Sequence, residues 1–297
     1  MRGLGLGPRF GRGRGIGAST DFIFTVETTA PDETFTTPCQ NVGVFNAVMD
    51  HGDGSISSIT AYDDADLAHT YADAGIHTIR VSGSFPNIYF NNGGDKDKVR
   101  SVIQLGKVGW ETLDKSFRGC AGMTSFIAGV CDTSAVVVMQ SMLFSCSALT
   151  LVDLSGLDTE NVENMVNLVR ACPLLETINI SGINTAKCAT MLGAFYGDSL
   201  LNIDLSGLAF DAVQDLTGFI FDCDAMSSAN LDLLLASIYA QRASITWETP
   251  ALDISSLTND PTGIYQDAIP PTTGLEYVYK LVNDPAKEGF NKWTITY

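Results

Sequence analysis

The chain has 297 residues, 45% of them hydrophobic, enough for about two or three units with a full core. It holds no apolar run of about 18 residues, the length of a membrane span, and its first twenty residues lack the apolar block of a secretory signal. Net charge is −17: residues 1–19 carry Arg2, Arg9, Arg12 and Arg14 and no acid, leaving 13 basic against 34 acidic residues, or −21, on a body that repels nucleic acid and anionic membrane.

At the N-terminus, Gly3, Gly5, Gly7, Gly11, Gly13, Gly15 and Gly17 occupy odd positions, while Leu4, Leu6, Phe10, Arg12, Arg14 and Ile16 occupy even ones. Extended chain points successive residues to opposite sides, so one side is bare and the other apolar and cationic. Glycine's ordering cost keeps such a segment from folding alone. One reading is a disordered Gly/Arg tail. The sharper one is an arm that orders against a neighbouring subunit through Arg2, Leu4, Leu6, Arg9, Phe10, Arg12, Arg14 and Ile16, with a reach of roughly 60 Å. Arg/Gly tails also bind RNA, for which four arginines among leucines argue poorly.

Residues 21–83 read as a β-sandwich. Phe22-Ile23-Phe24-Thr25-Val26 is β-prone, Phe45, Ala47 and Met49 alternate with polar or small neighbours, and a turn follows at Gly52-Asp53-Gly54. His69-Thr70-Tyr71 leads through Gly75 into a final strand at His77–Val81. Asp50, Asp53, Asp63, Asp64 and Asp66 lack calcium-loop spacing and read as a solvated acidic loop, with His69 as a structural hydrogen-bonder to the Gly52–Gly54 turn. Those marks resemble the polycystin-type (PKD) immunoglobulin-like domain, with His51 where that family often has tryptophan. The resemblance implies a spacer or binding module.

Residues 84–107 read as a connector, with a strand at Ile88, Tyr89 and Phe90 and a turn at Asn91–Gly94. A period of 26 residues then sets in. Met139, Met142, Leu143 and Cys146 have the i, i+3, i+4, i+7 spacing of a helix face; Leu113, Ser116, Phe117 and Cys120 precede them, and Met165, Leu168, Val169 and Cys172 follow. Further units begin at Met191, with Asp198 replacing the thiol, and at Leu216, ending in Cys223. Each helix is expected to alternate with a short strand (Leu149, Val152, Leu154; Leu175, Ile178, Ile180; Leu200, Ile203, Leu205) and a Ser-Gly turn, with Asp158 and Thr159 as helix caps. Such a period marks a stacked solenoid. Asn230–Gln241 reads as its capping helix.

The recurring thiols Cys120, Cys146, Cys172 and Cys223 read as small buried hydrophobes in the repeat core. No C-x-x-C occurs, the three histidines precede the repeats, and stacked helical coils sit wider than a disulfide allows, so neither metal nor cofactor is expected. Residues 246–297 turn to Thr and Pro, with strands expected at Glu276–Val282 and Lys292–Tyr297.

Met-x-x-Met-Leu/Phe-x-x-Cys followed by Leu-x-x-Val-Asp-Leu-Ser-Gly-Leu-Asp-Thr-x-x-Val resembles the BspA-type leucine-rich repeats of bacterial surface proteins, over roughly 113–226. The segment Pro270–Asp284 and the opening Phe45–Asp50 are similar to tailed-phage virion proteins, which string PKD-like and BspA-like modules together. The expected fold is α+β and multidomain: an extended arm (1–20), a PKD-like β-sandwich (21–83), the connector (84–107), a leucine-rich-repeat solenoid of about four to five coils (108–245) and a β-rich tail (246–297).

No P-loop, nucleophile elbow, H-E-x-x-H or dinucleotide fingerprint is present, and Asp153, Asp158 and Asp204 sit at repeat and cap positions. The expected function is a non-enzymatic virion part (tail fibre, appendage or capsid decoration), assembled in the host cytoplasm, oligomeric, anchored to other virion proteins by its arm and displaying a surface to a host glycan or protein. The alternatives are a bacterial surface adhesin and a phage glycan depolymerase.

Overall fold

A computed structural model describes residues 19–197, 202–214, 216–241, 251–253 and 294–296, with single positions at 261, 271, 273, 277 and 278. The β-branched and aromatic runs near its start form β1 (Phe22–Thr28), β3 (Asn46–Asp50), β4 (Ile56–Ile59) and β6 (Gly75–Ser84), antiparallel in the order β4-β3-β6-β1. Their period-2 pattern buries Phe22, Phe24, Val26, Ala47, Met49, Ile79 and Val81 on one face. Strands β2 (Glu33–Thr36) and β5 (Ala68–Tyr71) pair as a separate antiparallel ribbon. The ribbon packs on that face through Phe35, whose ring lies 6.2 Å from Phe24, and Tyr71, stacked 3.7 Å from His77.

The free side of β1 pairs antiparallel with β7 (Val99–Gln104), and from there the sheet continues in parallel: β8 (Ser125–Ile127), β9 (Leu151–Asp153) and β10 (Thr177–Asn179). One mixed sheet of eight strands results, in the order β10-β9-β8-β7-β1-β6-β3-β4. Its parallel register, Ser125↔Leu151↔Thr177, is the 26-residue period of the sequence. Residues 84–107 thus supply β7, the strand shared by both halves of the sheet.

The returns between parallel strands depart from expectation. No α-helix forms at 113–120, 139–146 or 165–172; each stretch is a run of turns. Residues four apart take left-handed backbone in each: Lys115 and Gly119, Ser141 and Ser145, Asn167 and Ala171, Gly193 and Gly197, Gly218 and Asp222. This redirects alternate N–H groups along the stack. Leu113, Lys115, Phe117 and Gly119 donate to Val138, Gln140, Met142 and Phe144 of the next coil at 2.7–3.1 Å, while Ser116, Arg118 and Cys120 donate three residues back. The next coils repeat the scheme from Met139, Ser141, Leu143 and Ser145 and from Met165, Asn167, Val169 and Ala171. An α-helix would spend those donors internally. Left-handed non-glycine residues cost about 1–2 kcal/mol each, and inter-coil hydrogen bonds worth about 0.5–1.5 kcal/mol apiece offset that cost. Near-helical winding still brings Met139, Met142, Leu143 and Cys146 to one buried side.

A second ladder fixes the coils where helix caps were expected. The buried Thr133 hydroxyl donates to the Asp158 carbonyl and accepts from the Asp158 N–H, both at 2.9 Å. Thr159 does the same with Asn184 (3.0 and 2.7 Å), and Thr185 with Ala209 (2.7 Å each). Phe210 then replaces threonine, and α1 (Ser228–Gln241) takes over. Gln241 accepts from the Phe210 N–H at 2.7 Å and donates to the Leu208 carbonyl at 2.9 Å, while Leu231, Leu234, Leu235 and Ile238 bury the inner face of α1. The helix expected at Asn230–Gln241 therefore closes the stack.

In the tail, β11 (Ala251–Asp253) pairs in parallel with β12 (Thr294–Thr296), within the strand expected at Lys292–Tyr297. The strand expected at Glu276–Val282 is contradicted at Tyr277 and Val278, which are helical, with the Tyr277 N–H on the Thr273 carbonyl at 3.0 Å. The described chain is thus mostly β-sheet, with α1 as its one sizeable helix.

Candidate binding surface

The arm residues Arg2, Leu4, Leu6, Arg9, Phe10, Arg12, Arg14 and Ile16 lie outside the described residues. The described chain starts beside the end of β7, where the Ser19 carbonyl accepts from Gln104 at 2.7 Å and the Thr20 carbonyl from the Lys107 N–H at 2.6 Å.

Cys120, Cys146, Cys172 and Cys223 are all buried, and none of them is in a disulfide. They do more than fill space: the thiols of Cys146, Cys172 and Cys223 reach back one coil to the carbonyls of Phe117 (3.2 Å), Leu143 (3.2 Å) and Phe195 (2.9 Å). Burial pushes the Cys120 and Cys146 thiols well above the ordinary range, and Cys188 to about 11. The recurring acids are turn formers. Asp153 accepts from the Ser155 N–H (2.9 Å) and hydroxyl (2.6 Å), Asp158 from the Glu160 N–H (3.1 Å), and Asp204 from the Ser206 N–H (2.9 Å).

A row of cationic and aromatic side chains runs along the surface of the stack. Arg118, Phe144, Arg170, Tyr196 and Phe221 recur at one position of successive coils, all half-buried. The Arg118 guanidinium lies 5.1 Å from the Phe144 ring centre, Arg170 lies 5.8 Å from Phe144 and 4.1 Å from Tyr196, and Tyr196 stacks on Phe221 at 5.2 Å. Asn91 and Asn167 orient the two guanidinium groups at 3.1 Å each. Gly193 makes room, since a Cβ there would sit 2.7 Å from the Asn167 side-chain oxygen. Neither guanidinium pairs with a carboxylate among the described residues. The 26-residue offset was present in the sequence; alternating cations and rings disguised it, because no single residue type repeats.

The chain's three histidines converge at the other end. His51 stacks on His69 at 4.1 Å, His69 meets Tyr71 edge-on at 4.7 Å, and Tyr71 stacks on His77. His69 bonds Asp53 at 2.7 Å, the turn contact anticipated for it, and the Tyr71 hydroxyl donates to the His51 carbonyl at 3.1 Å. Gly52 has φ 86° and lies against the Thr78 backbone, 2.6 Å from where a Cβ would stand, so no other residue fits this turn. Although burial opposes it, hydrogen bonds from His69 and Ser55 hold the Asp53 carboxyl at about 2. Burial, then the neighbouring His69 charge, lowers His51 below its ordinary 6.5, against Asp53, Asp50 and Asp66. Asp50 and Asp64 cap turns at Gly52 and at Thr60 and Asp66.

A third feature is a cleft of about 410 Å3 between β10 and the segment 202–208, lined by Ile178, Ile180, Ile183, Ile203, Asp204 and Leu208 among others. Among the described residues no cluster of His, Cys, Asp and Glu could hold a metal ion, and no helix is long and apolar enough to cross a membrane.

Residues 111–232, the turn-and-strand repeats, match the model of a family described as "Mycoplasma protein of unknown function, DUF285", compatible with the BspA-like repeats that the sequence resembles. No curated protein and no solved structure matches the chain.

Proposed function

We propose that the chain is a non-enzymatic virion structural protein that displays a rigid surface to the host and is anchored in the particle by its basic N-terminal arm. In this reading the antiparallel half is a PKD-like, immunoglobulin-like module, and the parallel half is a BspA-type leucine-rich-repeat solenoid of about four to five coils in which turns replace helices. The observation that carries the reading is the unbroken sheet from β4 to β10. It fuses two display modules into one body, from whose junction the arm departs at Ser19. The arm's four arginines suit an acidic neighbour such as another copy's −21 body.

Support for a non-enzymatic role comes from Asp153, Asp158 and Asp204, whose carboxylates are engaged in their own turns. Buried thiols outside any disulfide suit assembly in a reducing host cytoplasm. Binding partners are other virion proteins at the arm and a host glycan or protein at the exposed repeats. The match at 111–232 favours one other reading, a bacterial surface adhesin built on the same repeats.

Deleting residues 1–19 tests anchoring. The shortened protein is expected to fold but to be missing from purified particles; normal incorporation overturns the arm's role. Incubation with host surface polysaccharide is expected to release no reducing ends, and their release would make the protein a depolymerase.

A further inference from the structure

The strand side of the stack comes apart at one place. Leu105, Ala128 and Leu154 each donate an N–H to the next coil, at Ala128, Asp153 and Asn179, all at 2.8 Å. Among the described residues nothing continues this series from β10 to 202–205. The neighbouring contacts persist: Thr185 still holds Ala209, and Gly193, Phe195 and Gly197 still donate to Thr217, Phe219 and Phe221. The sequence supplies a cause. Leu175, Ile178 and Ile180 recur as Leu200, Ile203 and Leu205 after 25 residues instead of 26. The described part of the shortened coil stays docked on its turn and threonine sides, and its segment 202–208 parts from β10, opening the cleft of about 410 Å3, room on the order of a dozen waters.

Among the described residues the strand edge facing this cleft has no hydrogen-bond partner. Thr177 spends its N–H on Thr150 and Asn179 its carbonyl on the Leu154 N–H, so both face β9. By alternation Ile178 turns its N–H and carbonyl, and Ile180 its N–H, into the cleft. Their counterparts one coil earlier, Val152 and Leu154, are fully covered, whereas Ile178 and Ile180 are half-buried. Such an edge is a template for a strand from another chain.

We infer that this cleft is the acceptor for the N-terminal arm of a second copy, with Gly3-Leu4-Gly5-Leu6-Gly7 adding as a strand along β10. The inference rests on the anchoring role of the arm proposed above. A strand seated here points alternate side chains inward, where Ile180, Ile183, Ile203 and Leu208 form an apolar lining, and the others outward. The arm's period fits that demand: leucine faces in and glycine faces out, so the outer side needs no partner. Charge favours the pairing as well. Arg9, Arg12 and Arg14 follow the inserted strand, Asp204 lines the cleft, and the receiving body is strongly acidic. With residues 3–7 seated, residues 8–18 still span roughly 36 Å between the two copies.

The test uses the full chain with the photo-reactive substitution Leu6→benzoylphenylalanine, made as a mixture of isotopically light and heavy copies, irradiated and mapped by mass spectrometry. The expected result is a light-to-heavy cross-link from position 6 to residues 178–183 or 202–208. Ile178→Pro removes the outward N–H, leaves the bonds to β9 and should cut that cross-link at least tenfold, while Ile178→Val keeps it. Leu4→Asp, in the arm itself, should also abolish it without touching the folded body. Cross-links confined to one isotope, which place the arm in its own cleft, or cross-links elsewhere on the body overturn the inference. Arm-dependent entry into particles with position 6 linked only to other proteins sinks the cleft and leaves the anchoring role standing. A cleft cross-link in a protein that enters particles without its arm does the reverse.

Discussion

Burial sets the chemistry of Cys146, and its hydrogen bond sets its role. The sequence identifies it as a small buried residue because it falls in register with Met139, Met142 and Leu143. That it also ties its coil to the Phe117 carbonyl was not legible, since backbone direction leaves no mark in side-chain spacing. Five of the seven thiols are buried, so iodoacetamide should label Cys120, Cys146, Cys172, Cys188 and Cys223 only after denaturation. Rapid labelling of Cys146 in the native protein contradicts its placement. At His51 the consequence is pH dependence. Its folded pKa lies below 6.5, so the unfolded chain takes up a proton first. The stability this group contributes is complete above 6.5 and is lost as pH falls through the lower folded value. Melting temperature should therefore drop from pH 7 to pH 5, and less steeply in His51→Gln. Equal slopes in the two proteins count against this assignment.

Elements show where periodicity informs and where it misleads. Spacing of i, i+3, i+4, i+7 reports which side chains share a face, and Met139, Met142, Leu143 and Cys146 are all buried. It cannot report whether N–H groups bond within the segment or along the stack. The left-handed residues that make the difference include Lys115, Ser141, Ser145 and Ala171, none of which announces positive φ by its type. Thr159, read as a helix cap, is instead a two-way inter-coil link. Thr159→Val keeps the shape but removes both hydroxyl hydrogen bonds to the Asn184 backbone, each worth about 0.5–1.5 kcal/mol, so denaturant unfolding should show a loss of about 1–3 kcal/mol. A neutral outcome would mean the threonine ladder contributes nothing. Thr133→Val should behave alike, through Asp158.

Across the whole molecule, the two halves were legible separately: alternation marked the antiparallel strands, and the 26-residue period marked the parallel ones. Their fusion was hidden in 84–107, where β7 reads as Val-Arg-Ser-Val-Ile-Gln and has too few apolar residues to stand out. Yet β7 pairs β1 on one side and β8 on the other, so the antiparallel and parallel halves form one sheet. The arginine–aromatic row and the cleft beside β10 both come from this stacking, the first from coils in register and the second from the coil one residue short. The proposed role makes this body part of a virus particle. Immunogold electron microscopy, with antibody raised against residues 111–232, measures that directly on lysates and intact cells of the source organism. Gold is predicted on virus particles; gold on the cell envelope, with bare particles or none, would contradict the claim and establish the adhesin reading instead.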